Sequence, residues 1–239
     1  MIPASATVTF LLAAAFAAAP LVASPFSGFT ADQLPEPQLD PPIQPAGYAF
    51  AIWGLIYAWL VVSAAFGLWK RRGAEDWSRA RLPLILSLAI GVPWLSIANA
   101  SAIWATITIF LMAAFAIAAL WLAPMRDRWL FQAPVGIYAG WLTAASFVSL
   151  GSTAAGYNIL FDQLGWAFLG IAFALTVAII VFERRRSAPE YLLTVIWALL
   201  GIIVANGLDL LSVTTVAALG IAILLCVIAM RGGSARLQG

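Results

Sequence analysis

The sequence predicts an all-α integral membrane protein with about eight transmembrane helices. Of its 239 residues, 64% are hydrophobic and 9% are charged, and the mean hydropathy is +0.99. A soluble domain of this length would need far more charge on its surface. Apolar runs of about 20 residues, the length that crosses the hydrocarbon core as a helix, recur along the chain. Basic residues are confined to alternate segments between these runs, which is typical of multi-pass membrane proteins.

Eight apolar runs are candidate membrane spans. The first is open to a second interpretation, a signal peptide, but no basic residue precedes its apolar core, so we expect a retained helix. The seventh run is short, and the turn around Ser101, between the third and fourth runs, is tight. The eight runs cover residues 6–23, 48–69, 82–100, 103–122, 129–150, 164–182, 191–206 and 210–230.

The basic residues predict the orientation of these spans. All twelve lie in the segments that follow the second, fourth, sixth and eighth runs. The alternate segments carry no lysine or arginine and hold acidic residues such as Asp32, Asp162 and Asp209. Because positive charge is retained on the cytoplasmic side, we expect both termini in the cytoplasm and the loop of residues 24–47 outside. A missed or spurious span would break the alternation, so the alternation supports the count of eight.

The composition excludes several kinds of site. The chain has no histidine and a single cysteine, Cys226, so we expect no His- or Cys-based metal site, no disulfide framework and no haem ligation through histidine. No catalytic residue is predicted, since no carboxylate pair, nucleophile–base couple or phosphate-binding glycine loop is present. No charged residue lies in the middle of a span, which disfavours a proton-driven transporter. A carrier of a neutral or amphipathic solute remains open.

Aromatic residues crowd the start of the second span. A proline-rich stretch ends at Pro45, and Tyr48, Phe50, Trp53 and Tyr57 follow it. On a helix, Phe50, Trp53 and Tyr57 are spaced i, i+3, i+7 and share one face. Such a flat, rigid π surface suits a large planar ligand. The alternative is an aromatic belt at the membrane surface.

Two further sets are candidates for ligand contact. Trp141 is followed one turn later by Ala145 on the fifth span, which leaves a slot beside the indole; ordinary helix packing is the alternative. Asn99 offers an uncharged hydrogen-bonding group near the end of the third span. The alternative for Asn99 is a turn residue or a hydrogen bond between helices.

Small residues and prolines predict local packing. Gly136, Gly140 and Ala144 form a row at a spacing of four on the fifth span, which indicates a close contact with another helix. Pro93 and Pro134 lie inside predicted spans, and we expect both to kink their helices.

The stretch from Pro45 to Tyr57, PAGYAFAIWGLIY, resembles the loop-to-second-helix signature of the TspO/MBR family, the tryptophan-rich sensory proteins related to the mitochondrial translocator protein. That signature has proline, an aromatic residue and phenylalanine, then tryptophan and tyrosine on the following turns; the usual tryptophan at the place of Tyr48 is replaced. Residues 133–145, APVGIYAGWLTAA, are similar to the family's fifth helix, where a tryptophan is followed four residues later by alanine. Asn99 lies roughly where the family has an asparagine on its third helix.

The resemblance implies a TspO-like five-helix bundle over residues 1–151 and a three-helix C-terminal extension over residues 152–239 that compact members lack. It implies a pocket under the first loop that binds tetrapyrroles and, in some members, sterols. The implied site residues are Pro45, Tyr48, Phe50, Trp53, Tyr57, Asn99, Trp141 and Ala145.

The expected function is a membrane receptor or sensor for a large apolar planar ligand, porphyrin-like or sterol-like. The alternatives are a transporter and an assembly or regulatory partner with a vestigial pocket. No covalent cofactor is expected, and porphyrin or haem would be the ligand. Porphyrin photo-oxidation is attributed to some family members, so any turnover is expected to need light.

The expected partners are membrane lipids and a hydrophobic small molecule, with a homodimer left open and no nucleic acid. The longer bacterial tryptophan-rich proteins are the most similar members, which implies a bacterial inner membrane.

Overall fold

The computed structural model describes residues 4–24 and 26–236, with the side chains of residues 231–236 outside the description. All regular structure in this part of the chain is helical, which confirms the all-α prediction. Nine α-helices follow one another: α1 Ala4–Ala18, α2 Ile52–Lys70, α3 Glu75–Gly91, α4 Trp94–Ala100, α5 Ala102–Trp121, α6 Gln132–Gly156, α7 Gln163–Arg184, α8 Pro189–Asn206 and α9 Leu211–Arg236.

Among the described residues, seven helices are long and apolar enough to cross a membrane, or eight spans if α3 and α4 count as one broken span. Each of the eight predicted runs therefore has its counterpart. The third run, 82–100, is divided into two helices, since α3 ends at Gly91 and α4 leaves at an angle of 41°, and this bend confirms the kink expected at Pro93. The break lies at Pro93, which has no N–H with which to continue the backbone ladder of α3. The start of α3 at Glu75 was also missed, since its charged first turn is not apolar.

The fifth run differs from its helix, α6, in two respects. Pro134 does not kink α6, because it is the third residue of the helix and an N–H there would have no partner within the helix. The helix continues to Gly156, six residues beyond the predicted end at 150. This last stretch, GSTAAG, consists of small residues and is buried, and its Thr153 hydroxyl lies 2.9 Å from the Thr106 hydroxyl on α5. The boundary at 151/152 expected between the two membrane units therefore falls inside α6.

Helix α6 is the central helix of the bundle. It is the most buried of the candidate spans and packs against α2, α5, α7 and α8. The predicted close contact along its small residues is confirmed: a Cβ at Gly140 would lie 2.4 Å from the backbone oxygen of Tyr191 on α8. Helix α1 packs on α2 and α3, and α9 packs on α7 and α8.

Three segments rich in arginine meet at one end of the bundle, which we call the basic end. They comprise residues 70–81, 123–131 and 184–190. Arg71 Nε donates to Asp127 Oδ2 at 2.7 Å, which joins the first segment to the second. Arg185 Nε donates to Gln132 Oε1 at 3.1 Å and ties the third segment to the start of α6. The loop of residues 24–47 belongs to the opposite end of the bundle, as the alternating charge predicts.

Candidate functional site: an aromatic cavity beneath the 24–47 loop

A cavity of about 380 Å³ lies inside the bundle and is lined by the 24–47 loop and by α1 to α6 and α8. We call it the aromatic cavity, because eight aromatic side chains line it: Phe16, Phe26, Phe29, Phe50, Trp53, Tyr57, Trp94 and Trp141. Its volume falls within the range of about 300–1,000 Å³ that is usual for small-molecule sites.

The rings of this cavity hold one another in place. Trp53 and Tyr57 are one turn apart on α2 and stack with a centroid distance of 5.3 Å and an interplanar angle of 18°. Trp141 of α6 meets Phe50 edge-on at 5.7 Å and Trp53 at 6.2 Å. Phe16 of α1 meets the edge of Tyr57 at 5.1 Å. Because edge-to-face and offset-stacked pairs are the favoured arrangements of aromatic rings, the lining presents fixed π surfaces.

The structure brings six of the eight predicted site residues together in this cavity: Pro45, Phe50, Trp53, Tyr57, Trp141 and Ala145. Phe50 belongs to the 3-10 turn Gly47–Ala51 that precedes α2, and it still shares a face with Trp53 and Tyr57. The slot beside Trp141 also exists, since Ala145 lines the cavity next to it. That these residues bind a ligand stays a prediction.

Tyr48 and Asn99 do not line the cavity. Tyr48 is 45% exposed, and its ring meets the edge of Trp197 on α8 at 5.5 Å. It lies two residues before Phe50 in the 3-10 turn, and residues two apart do not share a face of a helical turn, so Tyr48 projects away from the side that Phe50 occupies. Asn99 is exposed and its amide donates to the backbone oxygens of Ser24 at 3.1 Å and Leu95 at 3.0 Å. It therefore fastens the first residue of the 24–47 loop to α4.

Sequence reasoning missed several residues that complete the cavity. Phe16 comes from α1, Phe26 and Phe29 from the loop, Trp94 from the start of α4 and Ala198 from α8. The phenylalanines that flank Gly28 in the sequence are a signal that could have been used, because a glycine between aromatic residues suggests a turn. In the structure Gly28 has φ +136, and a Cβ there would lie 2.7 Å from the Gln44 side chain. The contribution of Ala198 shows that the cavity wall includes a helix from the C-terminal part of the chain.

The described lining of the cavity contains no charged side chain. Its polar side-chain groups are hydroxyls, the Gln44 amide and the indole N–H groups of Trp53, Trp94 and Trp141. Gln44 Nε2 donates to the backbone oxygen of Ser27 at 3.1 Å, and Ser149 Oγ lies 2.7 Å from Thr106 Oγ1. Trp141 is 2% exposed, and its Nε1 has no hydrogen-bond partner among the described residues. Buried donors of this kind are rare because leaving one unpaired is costly, so the Trp141 N–H is the hydrogen-bonding group of this residue that still lacks an acceptor.

Among the described residues, no group of three or more His, Cys, Asp or Glu could hold a metal ion. The described lining of the candidate site is therefore apolar and aromatic, and the Nε1 of Trp141 is a buried donor without a partner among the described residues.

Hydrogen bonds fix the 24–47 loop to several helices. Gln33 Nε2 donates to the backbone oxygen of Ala98 on α4 at 2.7 Å. The Glu36 N–H donates to the oxygen of Gly156, the last residue of α6, at 2.9 Å. On α8, Asn206 Nδ2 donates to the oxygen of Pro42 at 2.8 Å. The loop is thus a folded cover whose positions are set by α4, α6 and α8.

Two glycines, on α6 and α7, leave room for side chains of the 24–47 loop. Ile43 is 2% exposed, and a Cβ at Gly170 of α7 would lie 2.3 Å from its Cδ1. Leu34 packs in the same way against Gly156, where a Cβ would lie 2.8 Å from it. The C-terminal helices therefore take part in shaping the cover of the cavity.

No curated protein and no solved structure matches the chain. A family model described as TSPO-like protein matches residues 4–230. The match runs from the first residue of α1 into α9 and so takes in every described helix. The chain therefore belongs to the TspO/MBR family and is, in general terms, a multi-pass membrane protein of the sensing or binding type.

Proposed function

We propose that this protein is a membrane receptor or sensor that binds a large, apolar, planar ligand in the aromatic cavity. The ligand class is porphyrin-like or sterol-like, with porphyrin or haem bound reversibly rather than covalently. The observation that carries the proposal is the lining of the cavity: eight aromatic side chains around about 380 Å³, with no charged side chain among the described lining residues.

The shape of the lining supports a flat ligand. Trp53 and Tyr57 present stacked rings, and Trp141 stands nearly perpendicular to Trp53, at an interplanar angle of 83°. A planar π system can stack on one of these surfaces and meet the edge of another, and each such pair contributes roughly 0.5–1.5 kcal/mol beyond burial. The free N–H of Trp141 favours a ligand that carries a hydrogen-bond acceptor.

The test is a titration of purified protein in phosphatidylcholine nanodiscs with a porphyrin, followed by quenching of tryptophan fluorescence. Four tryptophan or tyrosine rings line the cavity, so saturable quenching is expected. In proteoliposomes, a receptor should bind the porphyrin without moving it across the bilayer, whereas a transporter would produce flux. Quenching that rises without saturation would contradict both functions.

The same samples test for turnover. The described lining holds no acid, base or metal site, so we expect any porphyrin breakdown to require light and the bound porphyrin. Breakdown at an undiminished rate in the dark would reveal a catalytic group in the protein and contradict this expectation.

For localisation we propose a bacterial inner membrane with both termini in the cytoplasm. The basic end of the bundle supports this orientation, because positive loops are retained on the cytoplasmic side. The aromatic cavity would then lie beneath a loop on the outer side.

A further inference from the structure

A second cavity, of about 420 Å³, lies in a groove between α2, α6 and α8. Its walls are apolar and include Ile52 and Leu55 of α2, Ile137 of α6, and Leu193 and Trp197 of α8. Glu190 lines the groove at the basic end of the bundle. None of the described residues that line this groove also lines the aromatic cavity.

The groove faces the bilayer rather than the protein interior. It follows helices that are candidate membrane spans, and Leu55 and Leu193 on its two sides are each about half exposed, at 49% and 50%. Glu190, Leu193 and Trp197 are spaced i, i+3, i+7 on one face of α8. From Glu190 to Trp197 the helix rises about 10 Å. A molecule with its head group at Glu190 and its tail along α8 would therefore have the orientation of a membrane lipid, with the head group at the end of the bundle and the tail along the span.

Glu190 has an acceptor that nothing in the described structure satisfies. Its residue is 8% exposed, and one carboxylate oxygen, Oε1, receives a hydrogen bond from Arg128. The other oxygen, Oε2, is buried and has no hydrogen-bond partner among the described residues. The nearby hydroxyl of Thr194 does not serve it, because that hydroxyl donates to the backbone oxygen of Glu190 at 2.8 Å.

The ion pair between Arg128 and Glu190 determines which kind of head group can bind at Glu190. A carboxylate paired with arginine is ionised and can only accept hydrogen bonds, so the head group must be a donor. The charge of Glu190 is already balanced by Arg128, so a second cation would meet an uncompensated repulsion from the guanidinium. An uncharged donor, a hydroxyl, fits both conditions.

We propose that this groove is a second binding site, for an uncharged membrane lipid whose head group ends in a free hydroxyl. The hydroxyl donates to Glu190 Oε2, and the hydrocarbon tail lies against Leu193 and Trp197.

The experiment compares two probes in phosphatidylcholine nanodiscs, a bilayer lipid that carries no hydrogen-bond donor. One probe is octadecanol brominated near the middle of its chain, and the other is its methyl ether, which has the same tail and no donor. Bromine quenches nearby indoles, and the difference between wild type and Trp197→Phe isolates the signal of Trp197. We expect half-maximal quenching of Trp197 at an alcohol content about tenfold lower than for the ether, since a hydrogen bond to a charged group is a strong one.

Two variants test the placement. Leu193→Phe should fill the groove and remove the preference for the alcohol, whereas Leu111→Phe, at a 46% exposed site on α5, which does not border the groove, should keep it. Glu190→Gln should reduce the preference for the alcohol if the variant folds. If the variant does not fold, the comparison of alcohol and ether in the wild type still tests whether the hydroxyl donor is needed for binding. Equal quenching of Trp197 by alcohol and ether would overturn the proposal, as would an alcohol preference that survives Leu193→Phe.

Discussion

Gly201 of α8 lies directly against Pro45 at the end of the 24–47 loop: a Cβ on Gly201 would be 2.8 Å from the Cβ of Pro45. It would also be 2.9 Å from the Cβ of Ala49, and the Ala46 N–H donates to the Gly201 oxygen at 3.0 Å. These atoms are backbone or first side-chain atoms of rigid residues and cannot rotate away. A helix of the C-terminal part of the chain therefore sets the position of the loop end from which Phe50 enters the cavity.

The first prediction is that Gly201→Ala displaces this loop end. Overpacking of a formed contact costs roughly 1–3 kcal/mol, so we expect a lower midpoint of thermal unfolding, faster proteolysis within residues 24–47 and weaker porphyrin binding. The matched control is Gly54→Ala on α2, where a Cβ would have nothing within 4 Å and helix propensity favours alanine. If Gly201→Ala behaves like Gly54→Ala, the contact does not position the loop.

The second prediction concerns the slot beside Trp141. Ala145→Phe should fill it and weaken porphyrin binding by about fivefold to more than a hundredfold, the equivalent of roughly 1–3 kcal/mol of overpacking. Quenching titrations give the dissociation constants. The control is Ala114→Phe, at an exposed position on α5 that belongs to no described cavity. Wild-type affinity in Ala145→Phe would place the ligand outside the aromatic cavity.

The third prediction concerns the unpaired N–H of Trp141. Trp141→Phe keeps an aromatic ring and removes Nε1, so it should weaken a ligand that bears an acceptor and spare one that does not. The comparison is protoporphyrin dimethyl ester, which has carbonyl groups, against octaethylporphyrin, which has no oxygen. We expect roughly a two- to tenfold loss for the ester alone, the usual net contribution of one neutral hydrogen bond. An equal loss for both porphyrins would mean that Trp141 acts through its ring and not its N–H.

Local patterns in the sequence were enough to predict the spans and the aromatic face of α2. A helix that crosses lipid must be apolar over about 20 residues, so hydropathy along the sequence predicts the spans. Phe50, Trp53 and Tyr57 share a face because of helical spacing alone. The row of small residues on α6 could be predicted to make a close helix contact for the same reason, because its spacing is visible in the sequence without knowledge of the partner helix.

The rest of the cavity depends on contacts between distant parts of the chain. Asn206 reaches Pro42 across 164 residues of sequence, and Trp197 Nε1 donates to the Ala49 oxygen across 148. No periodicity encodes such pairings, so the loop phenylalanines and Ala198 could not be assigned to the site in advance. Tyr48 was assigned wrongly to the cavity lining: it lies two residues before Phe50, and residues two apart do not share a face of a helix.

The fourth prediction tests the orientation. In a Cys226→Ala background, Leu39→Cys places a thiol in the 24–47 loop, at a side chain that is 73% exposed. Gly73→Cys places one at the basic end, where a Cβ has open space around it. With both termini in the cytoplasm, an impermeant maleimide should label the Leu39 variant in intact spheroplasts and the Gly73 variant after lysis. Labelling of the Gly73 variant alone before lysis would reverse the orientation.

The fifth prediction concerns Asp127 at the basic end, which joins two cytoplasmic segments in the proposed orientation. Its carboxylate accepts hydrogen bonds from Arg71 Nε at 2.7 Å, Arg71 Nη2 at 3.0 Å and Trp77 Nε1 at 3.1 Å. The hydrogen bonds from Arg71 are the largest cause that holds the pKa of Asp127 below its ordinary value of 3.8, and the bond from Trp77 adds to them. The backbone of Asp127 is left-handed, with φ 57, a conformation that aspartate and asparagine tolerate better than other side chains.

These two properties can be separated by substitution. Asp127→Asn keeps the tolerance for the left-handed backbone and removes the charge, whereas Asp127→Ala loses both and should be less stable than Asp127→Asn by roughly 1 kcal/mol. Because the folded-state pKa is lowered, the unfolded chain binds the proton more readily. The stabilisation by charge is therefore complete above the ordinary pKa and is lost as the pH falls through the folded-state value.

Thermal unfolding midpoints of wild type and Asp127→Asn should accordingly differ at about pH 7 and converge as the pH is lowered towards about pH 3. The difference between the Asn and Ala variants should not change over that range, since it arises from the backbone. A wild-type advantage over Asp127→Asn that persists undiminished at about pH 3 would show that the carboxylate stabilises the basic end by its shape and not by its charge.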